Sequence, residues 1–161
     1  MRLGPLARQV GARLRERGLA LATAESCTGG WIAQAVTSIA GSSEWFERGF
    51  VTYSNESKKE MLGVRAATLA RHGAVSEETA REMASGALAR SRAQVAVAVT
   101  GVAGPGGGTR SKPVGLVCFA WSRKGRVPES AARRFRGDRK GIRERSVAFA
   151  LQGLIERMEE E

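Results

Sequence analysis

The chain has 161 residues, 42% of them hydrophobic, and a formal net charge of +10. That length buries a full core and is read most simply as one domain over 1–161, while two cysteines, Cys27 and Cys118, and one histidine, His72, exclude a disulfide framework and a metal cluster. The longest apolar runs, Val95 to Val99 and Val114 to Trp121, fall far short of a membrane span and no signal segment opens the chain, so a soluble cytoplasmic protein without cofactor is expected.

Leu3 to Arg17 spaces Leu6, Val10 and Leu14 four residues apart among arginines, which predicts an amphipathic helix. Gly18 to Ala22 has no polar face and reads as a short buried strand. It leads into Thr23-Ala24-Glu25-Ser26-Cys27-Thr28-Gly29-Gly30, where a carboxylate, nucleophile-bearing side chains and two glycines crowd together. Trp31, Ile32, Ala35, Val36 and Ile39 then form one helical stripe, so the chain turns from strand into helix at the glycines. After the break at Gly41-Ser42-Ser43, Phe50 to Tyr53 predicts a second strand, and Ser54 to Ser57 offers caps for a helix carrying Lys58 and ended by Gly63. Ser76, Glu77 and Glu78 open a helix with Ala80, Met83, Ala84 and Leu88 on its apolar side.

Val95 to Val99 is uncharged and β-rich, hence a central strand, and it ends in the glycine-rich loop Thr100 to Gly108. Val114 to Trp121 is the next strand, Lys124-Gly125 its turn, Ala131 to Phe135 an edge strand, and Arg139 to Met158 the closing helix. Strands alternating with helices, then a hairpin-like pair, give an α/β class: a three-layer α/β/α sandwich on a mixed, mostly parallel sheet.

Three polar clusters, Glu25 to Gly30, Tyr53 to Lys58 and Thr100 to Gly108, each follow a predicted strand. Parallel neighbouring strands would bring them to one sheet edge, where ligands of such sheets gather. Ser26 to Thr28 would sit at a helix N-terminus, which favours an oxyanion or phosphate, although a serine or threonine cap without chemistry explains the motif equally well. His72 stands before a glycine in a loop-like stretch and suits no Ser-His-Asp arrangement. A serine whose proton is taken by a lysine or a tyrosine beside it needs no histidine, and Lys58 and Tyr53 are at hand. Desolvation and neighbouring cations such as Lys59 or Arg48 would lower the Lys58 pKa, while solvated helix charges are the plain alternative.

Cys27 ranks below Ser26 as a nucleophile, because packing is the commoner role of a free cysteine. The Gly101 to Gly108 loop could cradle a phosphate, but a surface turn explains it about as well, and it has neither the Gly-Lys-Ser/Thr of a Walker loop nor the spacing of a dinucleotide fingerprint. The basic residues run along the N-terminal helix, through the middle of the chain and densely from Arg123 to Arg145, but no run interleaves them with aromatics, so a nucleic-acid partner is not expected despite the charge.

Taken in order, Thr23 to Gly30, Gly41-Ser42-Ser43 with Trp45-Phe46, Gly49 to Asn55 with Lys58, His72-Gly73-Ala74-Val75-Ser76, Thr100 to Pro105 and Lys112-Pro113-Val114-Gly115 closely resemble the CinA C-terminal domain family over nearly the whole chain. The resemblance implies an α/β/α sandwich, a homo-oligomer, and the activity of the family's stand-alone members. These hydrolyse the carboxamide of nicotinamide mononucleotide (NMN) to nicotinate mononucleotide and ammonia in pyridine nucleotide recycling. On the matched positions it implies Ser26 as nucleophile, Lys58 as general base and Tyr53 as proton relay, with Ser43 as rival nucleophile. The N–H groups of Cys27, Thr28, Gly29 and Gly30 would hold the oxyanion, and Glu25 would lie among the substrate contacts. Thr100, Gly101 and Gly104 with Arg139 or Arg143 would take the phosphate. Because the family is also linked by name to competence and DNA damage, a non-catalytic nucleotide-binding or DNA-associated module is the alternative.

Overall fold

Large and small residues of the central strands are sorted onto opposite faces of one five-stranded sheet. In the computed structural model, which describes residues 3–159, its strands are β1 (Leu21–Glu25), β2 (Phe46–Val51), β3 (Val95–Gly101), β4 (Leu116–Arg123) and β5 (Glu129–Arg134), in the order β2-β1-β3-β4-β5. β1 pairs parallel with β2 and β3, and β4 runs antiparallel to both β3 and β5, so the sheet is mixed, with β4 alone reversed. Because side chains alternate along a strand, Val95, Val97 and Val99 fall beside Val117, Phe119 and Trp121 on one face. That face is covered by α1 (Leu3–Arg17), α2 (Trp31–Thr37) and α6 (Arg139–Glu159).

The other face presents Ala22, Ala24, Ala96, Ala98 and Ala120, and on these small residues rests α5 (Glu77–Ala89). α3 (Asn55–Leu62) and α4 (Ala66–His72) pack against α5 in turn. The α3–α5 approach is close: a Cβ on Gly86 would lie 1.9 Å from the Leu62 carbonyl oxygen. On the bulky face two helix glycines make room for tryptophans, Gly11 for Trp45 and Gly153 for Trp121, where a Cβ would come within 2.6 and 2.2 Å of the rings. Trp121 Nε1 donates to the Ala150 carbonyl at 3.0 Å, and the Arg157 guanidinium lies 3.7 Å from its ring centre, so the aromatic cluster is fixed in orientation as well as buried.

Several expectations shift, among them β4, which starts at Leu116 rather than Val114, and β5, which covers Glu129–Arg134 rather than Ala131 to Phe135. β1 covers Leu21–Glu25 rather than Gly18 to Ala22, because pairing with β2 and β3 on both edges buries even Thr23 and Glu25 completely. β2 starts at Phe46 rather than Phe50, with an irregularity in its register opposite Leu21/Ala22. α4 is an additional helix whose N-cap, Arg65, makes no side-chain capping bond, and His72 is its last residue rather than part of a loop.

Candidate active site

β2, β1 and β3 are parallel neighbours, so their C-terminal ends adjoin and the three polar clusters meet there as expected. They form a cleft of about 180 Å³ whose lining includes Ser26, Cys27, Tyr53, Lys58, Thr100 and Arg139. Ala74 and Val75, from the α4–α5 connection, close one side.

Lys58 reaches the cleft from α3, whose start is fixed by a capping box between Ser54 and Ser57. Its Nζ lies 3.0 Å from Ser26 Oγ, 2.9 Å from the Thr52 carbonyl oxygen and 3.4 Å from that of Tyr53, and the residue is only 1% exposed. Burial pushes the Lys58 pKa below its ordinary 10.5. The expected cationic neighbours take no part in this, since Lys59 pairs with Glu56 and Arg48 with Glu47. A neutral amine has two N–H donors and one lone pair. With the two carbonyls accepting the donors, the lone pair is left for the Ser26 hydroxyl.

The helix start is capped neither by Ser26 nor by Thr28 but by Glu25. One Glu25 carboxylate oxygen accepts from the Ile32 N–H at 2.8 Å and the Thr28 hydroxyl at 2.6 Å, and the other accepts from the Ala33 N–H at 3.0 Å. Glu25 is therefore turned into α2 rather than into the cleft, and Ser26 is released from capping. Gly29 and Gly30 have φ of 60° and 103°, the left-handed conformation in which a side chain would be strained. The Gly29 N–H donates to the Ser26 carbonyl at 3.0 Å, so it is occupied. Among the described residues no other residue accepts from the N–H of Cys27, Thr28 or Gly30, and the Cys27 N–H lies against its own thiol. The Cys27 thiol is pushed up to about 12, by burial first, which keeps it protonated and no rival to Ser26.

The two arginines separate. Arg139 lines the cleft, donating to the Gly104 carbonyl at 2.8 Å and to the Tyr53 hydroxyl at 3.1 Å, and so bridges two of its walls. Arg143 instead grips the turn through the Cys27 and Thr28 carbonyls, each at 3.0 Å, with its guanidinium 5.4 Å from the Trp31 ring centre. Tyr53 is 63% exposed, and its hydroxyl meets Arg139 rather than Lys58. Thr100 uses its hydroxyl on the Ala74 carbonyl at 2.8 Å, and Gly101 lines the cleft beside it.

Ser43 is not brought in. It lies in a short 3-10 turn, Ser42–Glu44, exposed and ahead of β2, where the Trp45 carbonyl accepts from Leu21 at the start of β1, the opposite end of the sheet from Ser26. His72 faces Glu78, with 3.4 Å between its Nδ1 and the carboxylate. A residue given no role from sequence is Lys112, whose ammonium donates to the His72 carbonyl at 3.2 Å and to that of Val75, tying the glycine-rich loop to the cleft wall. The two motifs holding His72 to Ser76 and Lys112 to Gly115 were the available signal. Among the described residues no group of histidine, cysteine and acidic side chains is placed to hold a metal ion, and no helix is long and apolar enough to cross a membrane.

The family model described as CinA C-terminal domain matches residues 4–158. The chain is 56% identical over 151 residues to the protein named Nicotinamide-nucleotide amidohydrolase PncC of Escherichia coli (strain K12), covering 92% of this chain and 90% of that protein. Among solved structures, the competence/damage inducible protein CihA from Agrobacterium tumefaciens superposes with a TM-score of 0.93 at 51% identity, over 95% of this chain and 93% of that one. A CinA superfamily protein from Klebsiella pneumoniae 700603 superposes with a TM-score of 0.96 at 40% identity over 100% of both chains.

Proposed function

This chain belongs to the CinA C-terminal domain family, and from that premise we infer that it is an enzyme, an amidohydrolase that converts NMN to nicotinate mononucleotide and ammonia. The observation carrying the chemistry is the 3.0 Å contact between Lys58 Nζ and Ser26 Oγ in a nearly solvent-free setting. Burial raises the neutral fraction of the amine, which can then take the serine proton as Oγ attacks the carboxamide carbon.

The oxygen of the resulting tetrahedral intermediate finds donors in the Cys27 and Thr28 N–H groups, and collapse breaks the C–N bond as Lys58 returns the proton to the departing ammonia. Water then attacks the nicotinoyl ester on Ser26, again with Lys58 as base, releasing nicotinate mononucleotide and the free serine. Arg139, held at the cleft mouth by Gly104 and Tyr53, is the cation for the substrate phosphate. Tyr53 serves this positioning rather than proton relay, and Thr100, Gly101 and Gly104 shape the wall.

The reading also takes in a homo-oligomer, supported by the family resemblance, acting in the cytoplasm, supported by the short apolar runs, with no nucleic-acid partner, supported by basic residues that are not interleaved with aromatics. Purified protein incubated with NMN and a chelator tests the activity: stoichiometric ammonia and nicotinate mononucleotide are expected, and their absence overturns it.

A further inference from the structure

We propose that Arg143 is a positioning residue for the oxyanion site, setting and polarising two backbone donors through two hydrogen-bonded relays that begin at one guanidinium. The first relay is a single peptide. Arg143 Nε donates to the Cys27 carbonyl at 3.0 Å. A trans peptide places C=O and N–H on opposite edges of one plane, and the Cys27–Thr28 bond is trans, so the Thr28 N–H is directed away from the arginine.

The second relay has two peptides. Arg143 Nη2 donates to the Thr28 carbonyl at 3.0 Å, the Gly29 N–H on that same peptide donates to the Ser26 carbonyl at 3.0 Å, and the far edge of the Ser26 peptide carries the Cys27 N–H. Both relays end on N–H groups that no other described residue accepts from. Both ends lie within two residues of the serine that Lys58 contacts.

Chains of hydrogen bonds polarise one another, and a charge-assisted bond at the head strengthens the donor at the tail. Among the described residues the Arg143 guanidinium meets no carboxylate, only the two carbonyls and the Trp31 ring, so its charge is directed along these peptides. Gly29 completes the arrangement: a Cβ there would sit 3.4 Å from Arg143 Nη2 on a backbone with φ of 60°.

The inference rests on the amidohydrolase reading, so the experiment measures each separately in the purified full chain. Wild-type protein, R143Q and R143K are compared in steady-state NMN deamidation, in affinity for an arylboronic acid that forms a tetrahedral adduct on a serine, and in calorimetric affinity for nicotinate mononucleotide. A lost oxyanion contact lowers kcat by about 100- to 1,000-fold in known cases, so weakening two donors without deleting either is expected to lower it about 10- to 100-fold in R143Q and less in R143K. Boronate affinity is expected to fall by the same factor, with KM and product affinity held within about two-fold. Product affinity falling in step with kcat, or an unchanged kcat, overturns the proposal. Wild-type protein that releases no ammonia defeats the activity reading instead. Boronate adduct formation on Ser26, followed by mass spectrometry, then decides the role of Arg143 alone, with R143K retaining the fold if R143Q does not.

Discussion

Lys58 and Ser26 stand 3.0 Å apart across 32 positions of sequence, and among the described residues no carboxylate joins them. The lysine is held by main-chain carbonyls, so nothing anionic anchors it in its charged form. Ser26→Ala is expected to lower ammonia release from NMN by at least about 10³-fold, on the scale of removing a serine nucleophile elsewhere. Ser43→Ala is expected to retain activity, since its hydroxyl lies at the other end of the sheet. Activity surviving in Ser26→Ala, or lost in Ser43→Ala, reverses the assignment.

The pH dependence follows from the lowered Lys58 pKa. The base must be neutral, so kcat/KM is expected to rise with pH through a midpoint below the ordinary 10.5 of a lysine. Stability moves in the same direction. Between the folded and unfolded pKa values the unfolded chain binds the extra proton, so stability rises with pH across that window and carries the full penalty of the buried ammonium below the folded value. Lys58→Met should abolish activity and flatten this part of the melting temperature against pH curve.

Of the fold, what was legible in sequence was periodic. α1 and α6 carry clean helical stripes, and Ser54 and Ser76 cap helices as read, each through its own side chain. What misled was burial of polar groups. Thr23 and Glu25 read as a turn, yet they end a strand hidden on every side. The three clusters could be seen to converge only if their strands were parallel neighbours, a condition the order β2-β1-β3 meets, whereas the partners of Arg139 and Arg143 depend on contacts across 86 and 116 positions that no local pattern encodes. Ser43 shows the converse: a motif can resemble a family's while its serine lies at the other end of the sheet from the cleft.

Tyr53 and Arg139 give a separable pair. Tyr53→Phe removes only an acceptor for the arginine and should raise KM for NMN a few-fold with little change in kcat, as expected for lost positioning. Arg139→Ala should raise KM by about 10- to 100-fold, in keeping with a charge-assisted phosphate contact of about 1.5–3 kcal/mol. A large fall in kcat for Tyr53→Phe would restore the proton-relay role.

The Lys112 ammonium, bound to the His72 and Val75 carbonyls, holds the wall formed by Ala74 and Val75. Lys112→Met leaves two carbonyls without their donor and is expected to lower the melting temperature modestly and raise KM, with Ser26 still able to form the boronate adduct. An unchanged KM would remove the wall from substrate binding.

Gly86→Ala is expected to be more damaging than its size suggests, because the new Cβ meets the Leu62 carbonyl at 1.9 Å. Overpacking of this kind costs about 1–3 kcal/mol, and because α3 carries Lys58 both the melting temperature and kcat/KM should fall. Gly4→Ala, where the nearest atom is an Arg8 side-chain nitrogen at 3.6 Å, is the control and should leave activity unchanged.

The alanine face of the sheet acts as a gauge block for the catalytic distance. Lys58 rides on α3, α3 bears on α5 through Gly86, and α5 lies on Ala96, Ala98 and Ala120, so the closest joints in the series are backbone and methyl groups. The opposite face, built from Phe119, Trp121, Phe135 and Phe149, is a set of rings in mutual contact, with Trp121 held by the Ala150 carbonyl and the Arg157 guanidinium. A single added methyl beneath α5 is therefore transmitted along the series from α5 through α3 to the Ser26–Lys58 contact.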